Sequence, residues 1–260
     1  MCLIVFAYKT HPDYPLVLLA NRDEFYQRPT LASRFWPQQN AILAGRDEQA
    51  GGTWMGINRN QRFIALTNHR HPSQGGDFKS RGHICRDFLS GEQDCHQFLQ
   101  KMANESDLYA GYNLLLGDGE QMFYYGSRDK QIQQLEAGIY GLSNATLDSP
   151  WPKTDRAKDQ LSQQLVENLN RESLLAVLQD PSLPPDTHLP DTGIGLDLER
   201  ILSPIFINSE GYGTRSSTLL LCRKDDADWT ERSYNSAGTV SGEVQYRFSF
   251  TQPEEDASGD

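Results

Sequence analysis

Short runs of apolar, β-favouring residues alternate with turn residues along the first quarter of the chain. Such runs, bounded by Pro, Gly and Asn, predict β-strands. They occupy residues 2–8, 15–21, 41–45, 51–58 and 62–68. The turn sequence HPDYP separates the first two runs, so we expect these two strands to pair as an antiparallel hairpin.

The spacing of apolar residues changes to a helical period in two segments. Between residues 80 and 103, Ile84, Phe88, Phe98 and Met102 recur at helical spacing, which predicts two short helices separated near the sequence SGEQD. Residues 153–179 form the second helical segment. Its apolar positions predict one face from Leu161, Leu165, Val166 and Leu169, and a following face from Leu174, Leu175 and Leu178.

Strand patterns return between and after these helices. Gly-Asp-Gly lies between two apolar runs in residues 112–127, which is a strong hairpin signal. Further strands are predicted at residues 138–144, 215–222, 228–235 and 244–250, and a short helix at residues 196–202.

The order of strands, helices, strands, helices and strands predicts an α+β fold. In this arrangement antiparallel sheet is covered by two helical layers. Because no repeat or linker divides the sequence, residues 1–252 are predicted to form a single domain. Residues 253–260 are predicted to be a disordered acidic tail.

Charge and composition exclude several classes of partner. The 260 residues carry a formal net charge of -11, with a pI near 5.0, and such a chain repels phosphate backbones and anionic lipid surfaces. No apolar run approaches the ~20 residues of a membrane helix, and no basic leader precedes the first apolar run. We therefore expect a cytoplasmic protein that neither binds nucleic acid nor inserts into a membrane, and its oligomeric state is left open.

Cys2 is the first candidate for chemistry. The chain has four widely spaced cysteines and no CxxC pair, which favours free thiols over a disulfide framework. If Met1 is removed, Cys2 carries a thiol and a free α-amino group, whose pKa of about 7.7–8.0 lets it accept the thiol proton at neutral pH. One residue would then supply both nucleophile and base. The structural alternative is an ordinary buried strand cysteine.

Four consecutive polar residues, Asn21, Arg22, Asp23 and Glu24, end the second predicted strand. In an antiparallel hairpin the end of the second strand lies beside the start of the first, so these residues are expected near Cys2. An arginine there would favour the thiolate, and a carboxylate would orient the ammonium group. The alternative is a solvated charged turn.

Histidines and cysteines between residues 69 and 85 raise the question of a metal. His69 and His71 are two positions apart, and His83 and Cys85 follow. Their spacing fits no strong zinc pattern, and two histidines in an extended segment are expected on opposite faces. No metal site is therefore predicted.

Several longer motifs occur in an order that resembles one known family. They are MCLIVFAY, LLANRDEFYQRPT, AGRDEQAGGTWMGIN, ALTNHR, YGLSNATLDSPWPK and YGTRSSTLLL. In these motifs the chain resembles the NRDE family, also known as the transport and Golgi organisation protein 2 family, up to the acidic tail. That family is similar, more distantly, to the N-terminal-nucleophile amidases that cleave bile salts and penicillin V. The resemblance implies a four-layer αββα sandwich with a cysteine unmasked at the N-terminus.

The resemblance also implies roles for individual residues. Cys2 matches the nucleophile, Asn68 matches an asparagine whose amide forms the oxyanion hole, and Asn144 matches one that holds the surroundings of the nucleophile. Arg215 falls where the amidases have a basic residue facing the site. Each position also has a structural interpretation, since Asn is an ordinary residue at strand ends and Arg215 is interpretable as a surface charge.

One departure from the amidase pattern concerns the residues after the second strand. The amidases carry an arginine and an aspartate three positions apart, whereas here Arg22, Asp23 and Glu24 are consecutive. Either carboxylate, that of Asp23 or that of Glu24, is therefore a candidate for the role of the amidase aspartate. Arg22 and Asp23 are assigned here to the catalytic group, and Asn21, Glu24, Arg70 and Arg215 to substrate binding.

Two functions of different classes follow. The first is a cysteine-dependent amidohydrolase that cleaves a linear C–N bond of a small-molecule amide and needs no cofactor. The second is a non-catalytic carrier, because the resembled family has been linked to haem trafficking and to lipid or acyl-CoA homeostasis. In the carrier, Arg22, Arg70 or Arg215 would pair with the propionates of haem or the phosphates of an acyl ligand.

Overall fold

The computed structural model describes residues 2–71, 76–167 and 169–251, with Cys2 and Asn40 described by their backbone alone. The strands are β1 Cys2–Tyr8, β2 Leu16–Phe25, β3 Thr30–Trp36, β4 Gln39–Asp47, β5 Met55–Asn58, β6 Phe63–Asn68, β7 Tyr112–Gly117, β8 Met122–Gly126, β9 Ile132–Gln134, β10 Gly138–Leu142, β11 Tyr212–Cys222, β12 Asp226–Tyr234 and β13 Val240–Ser249. The helices are α1 Gly82–Ser90, α2 Cys95–Glu105, α3 Pro152–Glu167, α4 Arg171–Val177 and α5 Leu196–Ile201.

The strands form two antiparallel sheets. The first sheet has the order β10-β1-β2-β11-β12-β13, and the second contains β3 to β9 in chain order. The predicted hairpin of β1 and β2 is confirmed, with Cys2 opposite Arg22 at one end and Tyr8 opposite Leu16 at the other. The second residue of the chain therefore lies beside the charged end of β2.

Alternation along β1 explains how the layers stack. Ile4 and Phe6 point into the apolar core between the two sheets, whereas Leu3 and Val5 point to the opposite face and pack under α3 and α4. On the outer face of the second sheet, α1 and α2 bury a separate cluster. Fully burying one such side chain contributes about 1.5–3 kcal/mol, so all three clusters stabilise the stack. The fold is a four-layer αββα sandwich, as expected.

Some elements differ from the sequence predictions. Strands β3 and β9 were not predicted, and β2 continues through the polar residues to Phe25 instead of ending before them. Within α3, Leu161 is fully buried, but Val166 is 86% exposed and does not belong to the predicted apolar face.

The predicted acidic tail, residues 253–260, lies outside the described residues. Across the described part of the chain, every helix is too short or too polar to cross a membrane.

Candidate active site

Two adjoining cavities open at the end of the sandwich where β2 and β6 end. The smaller cavity, about 340 Å³, is lined by Arg22, Asp23, Glu24, Trp54 and Asn68 among others. The larger cavity, about 800 Å³, has mainly apolar walls. Both cavities share the lining residues Asn68, Phe78, Arg81 and Ala110. They therefore form one connected depression at the end of the molecule that holds the start of β1.

Arg22 is the residue that links this depression to Cys2. It pairs with Cys2 in the β1–β2 register and is only 6% exposed. Its guanidinium carbon lies 4.3 Å from the centroid of the Trp54 ring, a cation–π distance that fixes the planar group. Gly45 makes room for this ring, because a Cβ at that position would collide with Trp54. Trp54 therefore positions Arg22 as well as packing against the core.

Glu24 extends the charged lining of the smaller cavity. Its Oε2 lies 3.8 Å from Nη2 of Arg22 and 3.8 Å from Nε of Arg28. Arg28 in turn pairs with Asp47 at 2.6 Å. The carboxylate of Glu24 is therefore shared between two arginines, and it is half-buried rather than fully solvated.

Asp23 lies next to Arg22 in sequence but has different surroundings. It is 1% exposed, and its Oδ1 accepts a hydrogen bond of 2.8 Å from Oγ1 of Thr214. Burial raises the pKa of Asp23, while the nearby cation of Lys153 opposes the rise. A register irregularity in β11 between Thr214 and Ser216 brings Thr214 into this position.

The two asparagines are coupled through the backbone. Nδ2 of Asn144 donates to the carbonyl of Asn68 at 2.7 Å, and the backbone NH of Arg70 donates to the carbonyl of Asn144 at 2.7 Å. Asn144, which is 1% exposed, therefore fixes the backbone from residue 68 to residue 70. Asn68 itself is half-buried and lines both cavities.

Arg70 lines the larger cavity, but its charge is already paired. Nη1 donates to Oε2 of Glu199 at 2.5 Å, and Nη2 donates to the carbonyl of Leu202 at 3.2 Å. The guanidinium carbon also lies 4.6 Å from the centroid of the Trp151 ring. The structure therefore gives Arg70 a role in holding the cavity wall, in addition to any contact with a ligand.

Two of the predicted binding residues lie away from both cavity linings. Asn21 is buried under the helices, where its Nδ2 donates to the carbonyls of Leu178 and Ile205, each at 2.8 Å. Nη1 of Arg215 donates to the carbonyls of Phe25, Tyr26 and Arg28, at distances of 2.9–3.2 Å. In each case the polar group is used to satisfy backbone carbonyls, so the structure places neither side chain where the sequence interpretation did.

The two histidines after Asn68 share one side of the chain, contrary to the expectation of opposite faces. Both line the larger cavity, and both approach Gly111. The expectation assumed an extended segment, whereas β6 ends at Asn68. Burial, and then the nearby Arg128, lower the pKa of His69, which favours its neutral form. Among residues 2–71, 76–167 and 169–251, no cluster of three or more His, Cys, Asp or Glu side chains is arranged to hold a metal ion.

Three buried charges at or near the site were missed in the sequence. Lys153 is 2% exposed and donates from Nζ to the carbonyl of Leu202 at 3.0 Å. A signal existed for it, because a cation in the first turn of a helix opposes the helix dipole. Glu199 pairs with Arg70, and Glu231 accepts hydrogen bonds of 2.8 Å from the NH and Oγ of Ser33. No local pattern marks either glutamate as buried.

The layer order and the strand pairing define the fold class, a four-layer αββα sandwich of the N-terminal-nucleophile hydrolase type. In agreement, the fold is similar to the solved structure of a Caenorhabditis elegans N-acylethanolamine-hydrolyzing acid amidase (NAAA) ortholog, with a TM-score of 0.51 and 12% identity over 85% of this chain and 92% of that chain. At this identity the likeness concerns the fold alone.

The family is defined by sequence. The chain belongs to the transport and Golgi organisation 2 family, whose model matches residues 1–236. It is 37% identical to the Bos taurus transport and Golgi organization protein 2 homolog, over 90% of this chain and 93% of the relative. It is 35% identical to the Mus musculus transport and Golgi organization 2 homolog, over 95% of this chain and 99% of that relative.

Proposed function

We propose that this chain is a cysteine-dependent hydrolase of linear amides, with Cys2 as the nucleophile after Met1 has been removed. One observation carries the proposal. The β1–β2 register pairs Cys2 with Arg22, and Arg22, Asp23 and Glu24 all line the smaller cavity. The candidate nucleophile thus belongs to the strand pair that carries the charged lining.

The proposed reaction has two steps. The free α-amino group of Cys2 takes the thiol proton, and the thiolate attacks the amide carbonyl carbon. The C–N bond then breaks, the amine leaves with that proton, and the acyl group remains on sulfur as a thioester. Water hydrolyses the thioester, which releases the carboxylic acid and restores the thiol. The reaction needs no cofactor.

Neighbouring groups have proposed roles in these steps. The Arg22 cation favours the thiolate, and the buried carboxylate of Asp23 stabilises the ammonium group that forms when the α-amino group is protonated. Asp23 is preferred over Glu24 because Glu24 is shared between Arg22 and Arg28. The Asn68 amide is the proposed donor to the oxyanion, with Asn144 holding its backbone.

The apolar walls of the larger cavity favour an apolar acyl group as the part of the substrate that binds there. Its walls include Phe25, Phe78, Leu198 and Ile201, and it adjoins the smaller cavity at Asn68. The solved structure of similar fold is named for the hydrolysis of N-acylethanolamines. We therefore propose N-acyl amides as the substrate class.

The test combines intact mass, thiol labelling and turnover on untagged protein at neutral pH. We expect Met1 to be absent, Cys2 to be labelled fast, and a long-chain fluorogenic N-acyl amide to be cleaved. Cys2→Ala should remove the fast labelling and lower turnover by at least about a thousandfold, whereas the matched control Cys222→Ala should leave turnover unchanged. Retention of Met1, or equal turnover in Cys2→Ala, would contradict the proposal.

A carrier without turnover is the second candidate function. The observation that favours it is the larger cavity itself, which at about 800 Å³ exceeds the smaller one and has His69 and His71 in its lining. Haem or an acyl ligand would occupy this volume. Titration of the purified protein with haem tests the haem version, which fails if no saturable shift of the Soret band is seen.

A further inference from the structure

Helix α5 is amphipathic in the reverse of the usual sense. Glu199 is 2% exposed, whereas Leu196, Leu198 and Ile201 are 48%, 49% and 42% exposed. A surface helix normally buries its leucines and exposes its glutamates. Something other than core packing therefore determines the orientation of this helix.

The buried carboxylate of Glu199 is fully engaged. Its Oε2 accepts from Nη1 of Arg70, and its Oε1 accepts from the backbone NH and the Oγ1 of Thr192 at 3.0 and 2.5 Å. Directly after the helix, the carbonyl of Leu202 accepts from Arg70 and from Lys153. The segment is thus attached by charge-assisted hydrogen bonds to the strand end that carries Asn68 and to the start of α3.

This attachment turns Leu198 and Ile201 of α5 toward the larger cavity. Leu198, Ile201 and Leu202 line it, together with Ile194, and Phe25 and Phe78 line it as well. Phe25 and Phe78 are also exposed, at 62% and 40%. The cavity therefore gathers several apolar side chains, Phe25, Phe78, Leu198 and Ile201, that are not buried in the core.

We propose that Glu199 is a specificity-determining positioning residue, which holds α5 through Arg70 so that Leu198 and Ile201 form the wall for the apolar chain of the substrate. The turnover test of this inference depends on the proposed function, whereas its binding test does not. Glu199 does not touch the reacting atoms. Its effect is on which acyl chain is accepted, so it grows with the length of that chain.

The main variant is Glu199→Gln, which keeps the size of the side chain and removes the charge that pairs with Arg70. Kinetics are measured with butanoyl, octanoyl and hexadecanoyl amides of one fluorogenic amine. We expect KM for the hexadecanoyl amide to rise roughly tenfold, with kcat within about twofold, and KM for the butanoyl amide to stay unchanged. The control is Asp197→Asn on the same helix, where the side chain is 91% exposed and all three amides should behave as with the wild type.

A binding assay separates this inference from the proposed function. The fluorescent fatty acid cis-parinaric acid reports occupation of the cavity without turnover, and Glu199→Gln should weaken its binding roughly tenfold. If no amide is cleaved but this loss is seen, the hydrolase proposal fails and the role of Glu199 stands. If amides are cleaved and Glu199→Gln changes no KM, or changes all of them equally, the role of Glu199 is overturned.

Two further variants keep the inference testable if Glu199→Gln does not fold. Leu198→Ala and Ile201→Ala leave the attachment intact and shorten the wall, so they should reproduce the chain-length dependence. Leu183→Ala, at a residue that is 65% exposed and outside the cavity lining, is their matched control. Wild-type selectivity in both wall variants would overturn the assignment of the wall.

Discussion

Two cavities of nearly equal volume lie at opposite ends of β1, and they differ in the charges around them. The cavity beside the Cys2 end measures about 800 Å³, and the one beside the Tyr8 end about 760 Å³. The first has buried Arg70 in its lining and adjoins a space lined by buried Arg22 and Asp23. The charged residues that line the second are all partly or fully exposed, and they are Asp118, Glu120, Arg223, Lys224 and Asp225.

The difference shows that volume alone does not identify a functional site. A sandwich of two sheets leaves space at both of its open ends, because side chains there have neighbours on fewer sides. Buried charges are more informative than volume, since each one carries a desolvation penalty that only well-placed partners offset. Their concentration at one end is therefore the feature that distinguishes the candidate site from an ordinary gap in packing.

The largest expected effect on stability is that of Arg70→Met. It leaves the Glu199 carboxylate buried without its ion-pair partner, and such a change costs about 3–5 kcal/mol in the free energy of unfolding. Urea unfolding measures it. The double variant Arg70→Met/Glu199→Leu removes both charges and should recover most of the loss. A single variant as stable as the wild type would mean that the pair is not buried in solution.

The two ends should also differ in thiol reactivity. Cys222 lines the second cavity, and burial, together with nearby Asp226, raises its pKa to about 12. Because the thiolate is the reactive form, Cys2 with a free amino group should react with iodoacetamide at neutral pH at least about a hundredfold faster than Cys222. Peptide mapping of the labelled protein gives both rates. Equal rates would remove the argument that the environment of Cys2 activates it.

The pH dependence of stability tests the contribution of the buried carboxyl of Asp23. Burial raises the pKa of Asp23 above its ordinary value of 3.8, so the native state keeps this proton to higher pH than the unfolded chain does. The contribution of Asp23 to the free energy of unfolding is therefore fully present below the ordinary pKa, and it is lost as the pH rises through the raised pKa. Asp23→Asn should abolish this loss, so the variant gains stability relative to the wild type as the pH rises above the ordinary value of 3.8.

Urea midpoints across that pH range provide the measurement. Asp225→Asn changes an exposed carboxylate of the second cavity and is the matched control, for which no such relative gain is expected. If the urea midpoints of Asp23→Asn and the wild type change in parallel with pH, Asp23 does not titrate in this range in the native protein.

The sequence predicted most of the fold because its strands and helices are locally distinct. The apolar runs of β1, β6 and β11 lie inside the sandwich, and the helical spacing of α1 and α2 matches their buried faces. Strand β3 was missed because it is an edge strand, whose partly exposed pattern includes Ser33 and Arg34. Strand β9 has three residues, too few to show a period.

The site was harder to predict, for a reason visible in β2. Asn21 points toward the helices and Asp23 lies on the same face of the strand, whereas Arg22 stacks on Trp54, which directly precedes β5 of the second sheet. The sequence prediction ended the strand at these four polar residues, so it did not assign their side chains to alternate faces. A strand that continues to Phe25 predicts that alternation. The partner of Arg70 could not be predicted, because Glu199 is 129 residues away and the pair depends on how α5 packs.

The smallest expected effect belongs to the charged rim of the second cavity. Arg223 pairs with Asp226 at 2.6 Å and with Asp228 at 2.8 Å, but its side chain is 28% exposed and water reaches the group. Arg223→Met should therefore lower the free energy of unfolding by about 1 kcal/mol or less, well below the loss at Arg70, in the same urea assay. A loss equal to that of Arg70→Met would show that the rim of the second cavity is as tightly constrained as the candidate site. The contrast between the two ends of the sandwich would then no longer identify either as functional.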